Sequence, residues 1–245
     1  MMTEPLFVGA YWKNRRMTLR EYAVVTQQFL ARLLEMHPLF REMVCWGDTE
    51  SSGVALMPDL SNLEELILHR GGGRDAVFSH PRSDGGPSWQ SDCKRGFTMN
   101  YSNDKPREEG KVQVMITAGS YSPVLNNAVT IHFPVVRYPE FFEYEFVKRM
   151  ISVVVDCWQP QMALVTSHAF REAMGGEGGP RTVGWLTWVA TPAVDAAIPA
   201  GIEKERLGDG ILITTTREVL SAESPEQVSS ALAIQRQLKA QGFLK

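Results

Sequence analysis

Val183-Gly184-Trp185-Leu186-Thr187-Trp188-Val189 is the segment around which the other elements fall into place. It is dense in β-branched and aromatic residues, and it follows the glycine-rich run Gly175-Gly176-Glu177-Gly178-Gly179-Pro180. That combination reads as a strand entered through a turn. Side chains alternate faces along a strand, so Trp185 and Thr187 are expected on one face and Gly184, Leu186 and Trp188 on the other. Indoles at positions of opposite parity predict a central strand, covered on both sides.

Working outward toward the C-terminus, Ile202–Leu207 and Ile211–Thr216 read as a hairpin closed by Gly208-Asp209-Gly210. Ser224, with Pro225 after it and Gln227 three residues on, opens a last helix that ends near Gly242. Toward the N-terminus, Gln161–Thr166 reads as a strand, His168–Met174 as a helical turn, and Glu140–Trp158 as a long helix opened by Pro139. Gly96–Tyr101, Val112–Thr117 and Ala128–Phe133 read as an antiparallel meander. Leu6–Trp12 is a first strand. Thr18 and Glu21 form a capping box for a helix that runs to Met36 and stops before Pro38. Leu39–Glu50 is expected to be irregular, Leu60–Leu68 a short helix, and Arg70–Lys94 a long loop. Antiparallel runs of strands with helices between them place the chain in the α+β class, as a mainly antiparallel sheet with several long helices packed on it. At 245 residues, a single domain over residues 1–245 is expected.

The totals exclude several classes. Hydrophobic residues make up 44% and charged residues 22%, as in a globular chain with a full core. The net charge of −3 argues against a general nucleic-acid binder. Cys45, Cys93 and Cys157 are odd in number and widely spaced, which suits buried thiols in a reducing compartment. No signal peptide is evident, and the apolar run Met150–Trp158 is too short to span a bilayer, so a cytoplasmic protein is expected.

Reactive constellations are missing from the linear sequence. There is no HExxH, no P-loop, no GxSxG and no metal-ligand spacing, so neither metal nor cofactor is expected. Ser91-Asp92-Cys93-Lys94 and Ser102-Asn103-Asp104-Lys105 match Ser-x-x-Lys, a motif short enough to arise by chance. Cys157 and His168, with Asp156, form the one arrangement that a fold could assemble into a thiol–imidazole site. Cys157 lies near the C-terminus of its expected helix, however, where the dipole raises a thiol pKa.

An ordered set of segments carries a resemblance: Gly9-Ala10-Tyr11-Trp12 followed by Phe29-Leu30 and Leu33; Val183–Trp188; Gly208–Ile213; Ser224-Pro225; and the ending Gln241-Gly242-Phe243-Leu244. Together they resemble immunity-protein family 52 of bacterial polymorphic toxin systems. Trp188 stands where the family pattern has tyrosine, and Lys13 where glycine is frequent. The resemblance implies a non-enzymatic antidote that binds a co-encoded toxin, in several members a nuclease of the restriction-endonuclease type, including type VI secreted ones. A nuclease is basic where it meets DNA, so acidic and aromatic groups on the antidote are the expected contacts. The candidates are Trp46, Asp48 and Glu50; Glu64 and Glu65; Trp89; and Glu108 and Glu109. The alternative is a hydrolase or transferase with its site around Cys157 and His168.

Overall fold

Buried alternation and local capping set the elements, seen here in a computed structural model that describes residues 5–46, 53–70, 83, 88–135, 138–176 and 179–244. The strands are β1 (Leu6–Trp12), β2 (Val44–Trp46), β3 (Val54–Ala55), β4 (Phe97–Ser102), β5 (Gln113–Ala118), β6 (Asn127–His132), β7 (Met162–Ser167), β8 (Leu186–Val189), β9 (Glu203–Leu207) and β10 (Gly210–Thr214). The helices are α1 (Leu19–Met36), α2 (Leu63–Arg70), α3 (Tyr144–Trp158), α4 (His168–Ala173) and α5 (Pro225–Ala240). The α+β class holds. The expectation of several long helices is too generous: among the described residues three exceed two turns by a wide margin, α1 with 18 residues, α3 with 15 and α5 with 16.

The chain divides into two compact units. The first joins the segment up to Tyr11 to the chain from His132 onward; the second is Trp12–Ile131.

In the first unit the strands lie in the order β1-β7-β8-β10-β9. β1 pairs antiparallel with β7, β7 with β8, β8 with β10, and β10 with β9. The strand at the centre of the sequence argument is therefore central here. One face carries Val8, Ala10, Ala163, Val165, Trp188, Leu212 and Glu205, by register. α3 covers it: Tyr144 shares a 2.9 Å hydrogen bond with Thr214, and Lys148 donates one of 2.8 Å to Glu205. On the other face the 3₁₀ turn Pro192–Ala197 meets β10, and α5 packs against that turn.

The expected alternation fails at Trp185. Its N–H donates to the Val165 carbonyl, and Val165 is also the register partner of Leu186. Two residues opposite one is a β-bulge. The Trp185 ring meets Tyr144 at 6.4 Å, and Tyr144 bonds to Thr214, which shares a face with Leu186 and Trp188. Both indoles therefore serve the α3 side. Gly184 makes the bulge possible, because a Cβ there would run into the Val165 carbonyl oxygen.

In the second unit the order is β3-β2-β4-β5-β6. The Leu39–Glu50 segment, expected to be irregular, contributes a 3₁₀ turn at Pro38–Phe40 and then β2, which pairs with β3 and β4. α1 has the predicted capping box: Thr18 accepts from the Glu21 N–H, and the Glu21 carboxylate accepts from the Thr18 N–H at 2.7 Å. Its Tyr22 hydroxyl donates to the Ile116 carbonyl at 3.2 Å, and its ring lies 5.4 Å from Phe97. α1 thus covers the face formed by Cys45, Phe97, Met99, Tyr101, Val114 and Ile116, all buried. The long helix expected over Glu140–Trp158 is broken at Glu143, an extended residue between the 3₁₀ turn Pro139–Phe142 and α3.

Candidate partner-binding surface

The sheet of the second unit has a face that α1 does not cover. Register places Val44 and Trp46 of β2 beside Ser102 and Asn100 of β4, and Asn100 beside Met115 of β5. Thr98 and Thr117 continue the row. Trp46, Thr98, Asn100, Gln113 and Thr117 are half-exposed, and Met115 is 40% exposed. The polar side chains are organised among themselves. The Trp46 indole donates to Ser102 at 2.8 Å, Gln113 donates to Asn100 at 3.0 Å, and the Thr98 and Thr117 hydroxyls are 3.1 Å apart. Such cross-strand pairs stiffen a sheet face without needing a cover.

Two sequence-predicted residues follow the strand that Trp46 bonds to. Trp46 bonds to Ser102, the last residue of β4, and the connection that departs there carries Glu108 and Glu109 in the exposed 3₁₀ turn Arg107–Glu109. Asn103 pins that connection, donating to the Gly110 carbonyl at 3.0 Å and accepting from the Val112 N–H at 3.1 Å. Asp48 and Glu50, which follow Trp46 in sequence, lie outside the described residues. Glu64 and Glu65 are exposed on α2, which packs on α1, in the helical layer rather than on the open face.

Trp89 is at the other end of β4 and β5. The segment that carries it closes the N-terminus of α1: the Leu19 N–H donates to the Ser91 carbonyl at 2.8 Å and the Arg20 N–H to the Trp89 carbonyl at 3.1 Å. These bonds satisfy helix N–H groups that would otherwise lack partners. Thr18, Arg20, Glu21, Val24, Val25 and Gln90 line a shallow groove of about 420 Å³ beside it. The Ser91 hydroxyl, one of the Ser-x-x-Lys matches, is occupied with Ser88 at 3.0 Å. β4 itself, with five strand steps between its ends, spans roughly 17 Å, and Trp89 and Glu108–Glu109 belong to the connections at its opposite ends.

Three connections meet at the Trp89 end. The Arg15 N–H donates to the Ser120 carbonyl at 3.0 Å, and the Tyr121 N–H to the Lys94 carbonyl at 3.2 Å. Asp92, almost wholly buried, is paired with Arg16 and accepts from the Tyr121 hydroxyl at 3.4 Å. Partial burial, reinforced by the Asp92 carboxylate, holds the Tyr121 phenol above its usual pKa. Beyond Tyr121 the β5–β6 connection projects Pro123, Val124, Leu125 and Asn126, all exposed, with Val124 at 84%. Sequence reasoning passed over this turn. Its signal was an apolar pair set between the turn formers Pro123 and Asn126.

The thiol–imidazole alternative gains no geometry. Cys157 is in the last turn of α3, and the ring neighbours described for His168 are Phe7 at 4.9 Å and His132 at 6.2 Å. Among the described residues no three His, Cys, Asp or Glu side chains are gathered as metal ligands would be, and no helix is long and apolar enough to cross a membrane.

The family model described as immunity protein 52 matches residues 4–245. Comparison with curated proteins found no match. Among solved structures, a T6SS protein of Pseudomonas aeruginosa is similar with a TM-score of 0.56 and 13% identity, over 98% of this chain and 73% of that one. At that identity the likeness concerns the fold.

Proposed function

The chain belongs to the immunity protein 52 family, and on that footing we propose that it neutralises a co-encoded toxin by direct contact, through the open sheet face of its second unit. The observation that carries this reading is the family match, which runs through both compact units. Geometry supports it with a pre-ordered face. Trp46 is half-exposed and held by Ser102, a rigid aromatic anchor of the kind that dominates binding energies. Glu108 and Glu109 are exposed in the connection that follows Ser102, beside Arg107 and Lys111, and offer carboxylates to a partner that is basic where it grips DNA.

The toxin is a nuclease of the restriction-endonuclease type, delivered by type VI secretion; the fold likeness to a T6SS protein supports that delivery route. The antidote acts in the cytoplasm as a single functional body, without cofactor, and blocks rather than transforms its target. Asp48, Glu50, Glu64, Glu65 and Trp89 remain contact candidates, with Trp46 ranked first because it is ordered on the open face.

The test is co-expression with the product of the adjacent toxin reading frame, followed by co-purification. Rescue and a stable complex are expected. Failure of both overturns the reading. A folded variant lacking both Cys157 and His168 is expected to protect fully, and loss of protection would restore the enzyme alternative.

A further inference from the structure

The indole of Trp46 is fixed from both flanks of β2. On the β4 side its N–H donates to the Ser102 hydroxyl at 2.8 Å, and Ser102 is itself 3% exposed. On the β3 side stands Gly53. Continuing the antiparallel register of Val44 with Ala55 and of Cys45 with Val54 puts Gly53 opposite Trp46. A Cβ on Gly53 would lie 3.1 and 3.2 Å from Cε2 and Cζ2 of the indole, and would also strike the Val44 side chain. Cε2 is the ring carbon bonded to the N–H group, so the serine and the glycine close on the same end of the ring.

This arrangement settles two properties of the indole before any partner arrives. A side chain that binds from many rotamers loses them at the interface, at a cost to affinity. Trp46 is confined to its rotamer by the folded sheet instead. An indole also has a single donor, and Ser102 takes it. Asn100, the register partner of Trp46 on β4, does not compete for it, because its carbonyl oxygen accepts from Gln113 at 3.0 Å. What Trp46 leaves for a partner is the apolar remainder of the ring.

We infer that Gly53 and Ser102 are positioning residues for toxin recognition: they preset the Trp46 indole and occupy its donor, so the recess that receives it is apolar and directs no hydrogen-bond acceptor at the ring nitrogen. A recess that did so would bury that acceptor unanswered, which selects against such a surface. The inference rests on the antidote reading, with the Trp46 face as its contact surface.

The experiment measures dissociation constants of the purified adjacent-gene toxin for the full chain and for Trp46→Ala, Trp46→Phe, Ser102→Ala, Gly53→Ala and the double variant Trp46→Phe/Ser102→Ala, with the melting temperature of each recorded alongside. Trp46→Ala is expected to weaken binding at least about thirtyfold, as loss of a hot-spot side chain does. Ser102→Ala and Gly53→Ala are each expected to weaken it about three- to tenfold, what one freed or displaced side chain costs an interface. Phenylalanine has no N–H for Ser102 to hold, so adding Ser102→Ala to Trp46→Phe is expected to change affinity by less than about twofold. A purely structural role for Ser102 would cost the same in both backgrounds. That result, or full-strength binding by both Ser102→Ala and Gly53→Ala, overturns this inference alone. Trp46→Phe falling as far as Trp46→Ala overturns the apolar recess. Wild-type binding that Trp46→Ala leaves unchanged overturns the open face as the contact surface, absence of a wild-type complex overturns the antidote reading, and this inference falls with either.

Discussion

Strand β10 of the first unit buries all five of its residues, whereas β6 of the second alternates strictly between buried and half-exposed. The first sheet is a filled layer, with α3 on one face and the C-terminal elements on the other. The second is roofed by α1 on one side and presents Trp46, Asn100 and Met115 on the other. In the first unit side chains hold the scaffold together; in the second, alternate side chains are released from that duty and are free to recognise something.

The largest expected effect is at the bulge. Trp185→Ala removes a fully buried indole together with its hydrogen bond to the Thr216 carbonyl. It is expected to cost about 3–5 kcal/mol. The urea midpoint should fall with an unchanged m value, and a loss below about 1 kcal/mol would show that the first unit is not the filled layer described. Binding to the toxin by the remaining folded protein is expected to be unaffected.

A finer test uses neighbours on opposite faces of β5. Ile116 is 0% exposed under α1, and Met115 is 40% exposed on the open face. Ile116→Ala is expected to cost about 2–4 kcal/mol. Met115→Ala should stay within about 0.5 kcal/mol. Equal costs in thermal or chemical unfolding would mean that the second sheet is covered on both sides. Trp46→Ala lies between the two in stability, at about 1–2 kcal/mol for a half-buried aromatic with one hydrogen bond. Its effect on toxin affinity should exceed its effect on folding.

The scaffold was legible in the sequence wherever the signal was local. Thr18 and Glu21 announced the capping box because both partners lie within one turn. The Gly208-Asp209-Gly210 turn announced β9 and β10 for the same reason. β2 was missed because three residues are too few to show alternation, and its place is set by pairing with β4, more than 50 residues away. Trp185 was assigned to the wrong face because a bulge depends on the Val165 carbonyl of another strand. The candidate site was read one residue at a time. Trp46 is on the open face, but Glu64 and Glu65 sit in the helical layer, since acidity says nothing about which side of a sheet a helix packs. The Val124 tip went unnoticed because exposure of an apolar residue is a property of the folded surface, not of composition.

The smallest effect concerns what the second unit buries beneath α1. Tyr101 is fully buried and, among the described residues, its hydroxyl has no hydrogen-bond partner. An unanswered buried hydroxyl costs free energy, so Tyr101→Phe is expected to be neutral or stabilising by up to about 1 kcal/mol. Burial, with the nearby Tyr22 and Cys45 as lesser causes, raises the Tyr101 phenol well above its usual pKa. Burial raises Tyr22 likewise. The folded chain therefore keeps phenolic protons that the unfolded chain releases above about pH 10. Stability should be flat below that value and should fall as pH rises through the window between the unfolded and folded pKa values, by about 1.4 kcal/mol per pH unit for each such tyrosine. Tyr101→Phe removes one of these two contributions, so urea midpoints of the variant should decline less steeply than those of the wild type above pH 10. Parallel declines would show that Tyr101 ionises as freely folded as unfolded, which a side chain sealed beneath α1 cannot do.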